Sequence, residues 1–185
     1  MLLLGDSGTG KTTLLHLMCG LLRPQQGSIQ VANLELNGAS SRTLDRWRGT
    51  EIGIVFQRPH FVQSLSVAEN LVLPHQLVHG RVHAQVVDDM HAMLERLGIA
   101  HRSKARPHNL SVGEQQRASI ARALLHRPKV VFADEPTSAL DDRNTNAVME
   151  IIEREAADAT LVVVTHDQRL KDRYPSCVTL PSVES

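Results

Sequence analysis

A chain of 185 residues, 42% hydrophobic and 22% charged, can bury a core of its own and fits one domain with room for an inserted lobe. Its 20 basic and 20 acidic residues leave a formal net charge of +0, so no electrostatic footprint points to nucleic acid or an anionic membrane surface. The two cysteines, Cys19 and Cys177, make neither a metal spacing nor a disulfide framework and fit a reducing, cytosolic setting.

The chain opens with a short apolar run, Leu2 to Leu4, that ends in Gly5 and reads as a strand. It lacks the basic region of a secretory signal. Lys11 to Leu22 has a helical pattern ended by Arg23, Pro24 and Gly27. Its apolar part, Leu14 to Leu22, is too short to span a bilayer and is interrupted by His16. "SIQV" and Ile52 to Phe56 have strand character, with the polar "NGASSR" between them as a loop. From Phe61 to His126 the pattern is helical. The spacing predicts helices over Val67 to Leu73, Gln85 to Leu97 and Gly113 to His126, separated by Pro74, Gly98 and Pro107. Strand character resumes at Val130 to Ala133, a helix follows from Asp142 to about Ala156, and Leu161 to Val164 is a further apolar strand.

Two β-branched apolar strands joined through a helix predict a parallel pair with a crossover, hence an α/β fold with helices on both faces of a mostly parallel sheet. Ligands in such sheets bind beyond the carboxyl ends of the strands. At those ends stand residues Gly5 to Thr13, Gln57, Asp134 with Glu135, and His166.

Gly5, Asp6, Ser7, Gly8, Thr9, Gly10, Lys11 and Thr12 match the phosphate-loop pattern in full, and Thr13 continues it. Glycines let backbone N–H groups curl toward phosphate oxygens, and the following helix adds its positive end. Lys11 would reach the β- and γ-phosphates, and Thr12 would offer its hydroxyl to Mg²⁺. The plain alternative is a glycine-rich turn before a helix. In "VVFADEP", a carboxylate at the end of a buried strand needs a cation or hydrogen bonds. Beside a phosphate loop, Asp134 is then a candidate Mg²⁺ ligand and Glu135 the residue that orients an attacking water. Alone, both would read as a polar strand cap.

"LSVGEQQR", Leu110 to Arg117, has a structural reading of its own: Ser111 with Glu114 three residues on is a capping box. Placed between the phosphate loop and "VVFADE", it also resembles the signature of ATP-binding cassette proteins, usually Leu-Ser-Gly-Gly-Gln. Val112 here replaces the first glycine and Glu114 the glutamine. The first change removes backbone freedom and bears on the approach to phosphate. Further motifs fall in the family's order. Gln57 is similar to the glutamine that senses Mg²⁺ and water, "SALD" with Asp141 to the loop that crosses the dimer seam, and His166 to the switch histidine.

The resemblance covers nearly the whole chain. It implies a RecA-like P-loop NTPase core over residues 1–60 and 127–185, with a helical signature subdomain over 61–126. It further implies an ATPase that uses ATP and Mg²⁺. In such a protein the signature, Ser111, Val112, Gly113 and Glu114, contacts ATP held by a partner cassette, either a second copy in a homodimer or a paralogue. An integral membrane permease would dock in the groove beside Gln57, placing the chain on the cytoplasmic face of the membrane, and no nucleic acid is expected. Within the family, "RWRGTEIGIVFQ", "VAENLVLP" and "LSVGEQQRASIARAL" look most like the lipoprotein-releasing and macrolide-exporting ATPases.

Members of the family usually carry an antiparallel β-lobe and an adenine-stacking aromatic ahead of the phosphate loop. Neither fits before Gly5, so the N-terminal lobe is expected to be largely absent and the true start to lie upstream, or the chain to be a fragment. Two alternatives stay open on sequence: a soluble cassette ATPase outside transport, and a nucleotide-binding subunit with little turnover. The first usually brings a second cassette or a long coiled coil, and the sequence has neither.

Overall fold

Strand alternation divides the apolar residues between two faces of one sheet. A computed structural model describes residues 1–6, 8–137 and 142–181. Strands β1 (Leu2–Leu4), β4 (Ile52–Val55), β5 (Val130–Asp134), β6 (Thr160–Thr165) and β7 (Cys177–Thr179) form a five-stranded sheet in the order β4-β5-β6-β1-β7. Every pairing in it is parallel, with Leu4 beside Thr165 and Ala133 beside both Val55 and Val163. Successive side chains point to opposite faces. Leu3, Val130, Phe132, Val162 and Val164 therefore pack on one side, with Leu15, Leu44 and Trp47. Leu2, Leu4, Val131, Ala133 and Val163 pack on the other, with the helices of the middle segment. Full burial of each large side chain favours folding by about 1.5–3 kcal/mol relative to exposure, so alternation holds the strand register.

The helices are α1 (Lys11–Met18), α2 (Ser41–Glu51), α3 (Val67–His79), α4 (Ala84–Arg96), α5 (Val112–Leu124) and α6 (Asp142–Glu155). A two-residue hairpin, β2 (Gln30–Val31) with β3 (Leu34–Glu35), is antiparallel. Ala32 and Asn33 both take positive φ at its turn, the conformation a tight two-residue hairpin requires. The stretch "SIQV" is thus half of a small second sheet rather than a strand of the main one.

The departures from the sequence expectation that change an element most are in α1, α3 and α2. Helix α1 stops at Met18 instead of Leu22, because Gly20 turns to φ 63° and the N–H groups of Leu21 and Leu22 fold back onto the His16 carbonyl. Helix α3 runs through Pro74 to His79. A capping box between Ser66 and Glu69 starts it, Gly80 closes it, and the buried Val67 and Leu71 hold it on the core, which offsets the hydrogen bond that proline cannot make. Helix α2 starts within the predicted loop "NGASSR" and continues over residues that carry no sequence assignment. Only Leu44 and Trp47 of it are buried, and its start rests on Ser40, whose hydroxyl accepts from Thr43 N–H at 3.2 Å.

Candidate functional site

At Gly5 the chain leaves β1 in a turn with little room: a Cβ there would stand 2.6 Å from Thr9 Oγ1. Gly8 and Gly10 hold φ near 88° and 87°, with no atom within 4 Å of where a Cβ would be, so an open, backbone-lined cradle precedes α1. Lys11, 7% exposed, donates from Nζ to the carbonyls of Gly5 at 2.7 Å and Asp6 at 2.8 Å. Its ammonium is thereby held under the loop. Thr9 bridges back to the Asp6 carbonyl through Oγ1 at 2.9 Å. Thr12 and Thr13 lie exposed on the first turn of α1, and Ser7 lies outside the described residues.

Asp134 ends β5, 5% exposed, and its Oδ1 accepts a long 3.5 Å contact from Thr12 Oγ1. Burial, and then the charge of Glu135, hold the Asp134 carboxyl above its ordinary value, against the pull of Thr12, His16 and Lys11. A buried carboxylate with a hydroxyl beside it offers two hard oxygen donors, and such a pair fits Mg²⁺.

Glu135 follows in the left-handed region at φ 46°, and its N–H donates to the Val164 carbonyl at 2.7 Å. That backbone turn folds the side chain over the end of β6. Oε1 accepts from His166 Nδ1 at 2.8 Å and from His166 N–H at 3.0 Å, while Oε2 accepts from Thr165 Oγ1 at 2.9 Å. Glu135 is buried, whereas the His166 side chain stays 60% exposed. Gln57 is exposed two residues beyond Val55, which pairs with Ala133, so it leaves the sheet beside the strand that ends in Asp134.

Leu110 to Arg117 lead into and form the start of α5. Ser111 caps α5, its hydroxyl accepting from Glu114 N–H at 3.3 Å while its own N–H donates to Glu114 Oε2 at 2.8 Å. Arg102 Nε, donating to Glu114 Oε1 at 2.7 Å, and the Ser111 N–H together hold the Glu114 carboxyl down to about 2. The polar partners described for Ser111 and Glu114 lie between residues 101 and 115. Val112 takes the first helical position without a positive φ and is 68% exposed, and Gly113 follows inside the helix. The start of α5 therefore forms with valine at this position. Ser138 to Asp141, with the candidate dimer loop, lie outside the described residues.

Three residues escaped the sequence reading. Gln116, 7% exposed, donates to the Pro136 carbonyl at 3.0 Å and ties α5 to the turn after Glu135. Asn70, fully buried, accepts from Val62 N–H at 2.8 Å and donates to the carbonyls of Val62, Leu65 and Ser66. Thr165 sits beneath Glu135. Asn70 and Thr165 stand among apolar residues, a signal that shows burial but not its partner, whereas Gln116 lies in the polar stretch "GEQQR" and gives no such signal.

Residues 1–138 match the family model described as ABC transporter. The lipoprotein-releasing system ATP-binding protein LolD of Shewanella sp. (strain MR-7) is 40% identical over 181 residues, spanning 96% of this chain and 78% of that protein. The macrolide export ATP-binding/permease protein MacB of Rhodopseudomonas palustris (strain BisB18) is 39% identical over 178 residues, 96% of this chain and 27% of that protein. The dimeric structure of MJ0796, a bacterial ABC transporter cassette, superposes with a TM-score of 0.86 at 30% identity, covering 97% of this chain and 79% of that one. A post-hydrolysis structure of the same cassette, bound to ADP and Pi, gives a TM-score of 0.82. With the family model matching most of the chain and LolD matching at 40% identity over 96% of it, the chain belongs to the ABC transporter family and is an ATP-binding, ATP-hydrolysing transporter subunit.

Proposed function

We propose that this subunit drives a separate membrane permease by closing as a homodimer, or with a paralogous cassette, around ATP, and that the permease serves lipoprotein release or export. The observation that carries the reading is the meeting of Lys11, Thr12, Asp134, Glu135 and His166 at the carboxyl ends of three adjacent strands. In it, residues 5–13 hold the phosphates: Lys11 exchanges its loop carbonyls for phosphate oxygens, and N–H groups around Gly8 and Gly10 fill the cradle. Thr12, Asp134 and Gln57 would hold Mg²⁺, which when bound neutralises charge on the phosphates. Glu135 orients and deprotonates the attacking water, and His166, released from Glu135, turns its imidazole to the γ-phosphate.

Residues 1–60 and 127–185 act as the core and 61–126 as the signature lobe. Ser111, Val112, Gly113 and Glu114 present the start of α5 to ATP on the partner cassette, with Asp141 at the seam. The exposure of Val112 supports this, since the start of α5 is open to a neighbour. A groove of about 810 Å³ lined by Gly49, Phe56, Leu73, Leu77, Val78 and Arg122 supports permease docking, and Leu77 is 76% exposed in it. Among the described residues no helix is long and apolar enough to cross a membrane, so membrane attachment at the cytoplasmic face comes through that partner. The names of the LolD and MacB relatives favour lipoprotein release or export.

The test is ATP hydrolysis by this chain and by Glu135→Gln, with light scattering in ATP and Mg²⁺. Turnover in the parent, and an inactive Glu135→Gln that dimerises with ATP, are expected. Full turnover in Glu135→Gln would overturn the role given to Glu135, and a chain that stays monomeric with ATP would overturn the dimer.

A further inference from the structure

Glu135 leaves β5 in a left-handed turn, and a carboxylate on so short a tether has rotational freedom unless something inside the fold takes one oxygen. We infer that Thr165 is the positioning residue of the hydrolytic site: its hydroxyl clamps Oε2 of Glu135 so that Oε1 alone faces the reacting end. The inference rests on the reading of Glu135 as the group that orients water.

The direction of the hydrogen bond is decided by its neighbours. Thr165 Oγ1 is 3.0 Å from the N–H of Asp167, which can only donate, so the hydroxyl accepts there. Its single proton is left for Glu135 Oε2 at 2.9 Å. The chain Asp167 N–H to Thr165 O–H to Glu135 runs one way, and each bond polarises the next. Thr165 is fully buried and pairs with Leu4, the residue before the phosphate loop, with its neighbour Val164 paired to Asp134. The clamp is therefore built on the middle of the sheet, between the strand that leads to the phosphates and the strand that ends in the acidic pair. A group on a rigid strand orients its target more sharply than one on a loop.

The two oxygens of Glu135 have different partners. Oε1 is held by His166, whose ring is largely exposed and can leave, whereas Oε2 is held by a buried hydroxyl that cannot. Oε1 also accepts from the His166 backbone N–H at 3.0 Å, so when the ring turns away this oxygen loses one of its two partners and one acceptor position is freed. Thr165, together with that N–H, keeps the carboxylate from following the ring.

The test compares Thr165→Val, Thr165→Ala and Thr165→Ser in the full chain, measuring kcat, KM and nucleotide affinity for each and for Glu135→Gln. With the hydroxyl gone, kcat is expected to fall about 10- to 100-fold, a part of what general-base catalysis supplies. KM and nucleotide affinity should stay within a factor of about 3. Thr165→Ser should return most of the rate. The inference is overturned by a kcat within twofold of the parent for Val or Ala, or by a loss confined to KM. Should Val fail to fold, Ala reads the same hydroxyl. An active Glu135→Gln would overturn the underlying reading, whereas an inactive one beside an unaffected Thr165→Val overturns this inference alone.

Discussion

His166 closes on Glu135 through two hydrogen bonds to one oxygen, from Nδ1 at 2.8 Å and from its own backbone N–H at 3.0 Å. Because the carboxylate accepts, Nδ1 carries the proton and Nε2 is free to face outward. The carboxylate and the exposed imidazole are thus hydrogen-bond partners. His166→Ala should lower ATP turnover by about 100-fold or more while nucleotide affinity is kept. Steady-state hydrolysis beside equilibrium binding checks this, and a variant with parental turnover would show that the ring has no part in the reaction.

Glu114 gives a pH dependence of defined sign. Arg102 and the Ser111 N–H hold its carboxyl at about 2 in the fold, against 4.5 for a free glutamate. A depressed folded value means that the stabilisation is complete above the free value and is lost as pH falls from about 4.5 toward 2. Glu114→Gln cannot titrate. The parent should be more stable than Glu114→Gln near neutrality, with the gap closing across that window and narrowing in high salt. Urea unfolding of both proteins at several pH values measures it; a gap that is constant with pH would contradict the prediction.

Asn70 holds the turn before α3 from inside, with four hydrogen bonds from a side chain that has no exposure. Replacing it by leucine takes away the side-chain partner of the Val62 N–H and of the Leu65 carbonyl, while the Val62 and Ser66 carbonyls keep backbone N–H partners. The expected loss is about 2–4 kcal/mol, measured by chemical denaturation. A loss below about 1 kcal/mol would mean that water replaces the amide at no cost.

The two cysteines should differ in reactivity. Burial pushes the Cys19 thiol up to about 12, while Cys177 lies exposed. Alkylation of the native protein should add one label, at Cys177, and a second only on unfolding, because the thiolate is the reactive form. Intact mass and peptide mapping decide it, and rapid labelling of Cys19 in the native state would refute its burial.

Sequence alone determined the parts in which local chemistry and chain order suffice. The phosphate loop, the capping box at Ser111 and Glu114, the apolar strands β4, β5 and β6, and the placing of Gln57, Asp134, Glu135 and His166 after strand ends were all legible, because each is set by periodicity or by a short residue pattern. Tertiary structure decided the rest. Strand β7 exists because Leu2 N–H reaches the Ser176 carbonyl and Leu180 N–H the Leu4 carbonyl, bonds that no local pattern announces. Helix α2 is held by two buried side chains on an otherwise polar stretch, and α3 runs past Pro74 because its packing outweighs one lost hydrogen bond. Thr165 and Gln116 have partners 30 and 20 residues away. A hydrogen bond across such a span depends on where the sheet brings the backbone, and that is settled only once the whole core has packed.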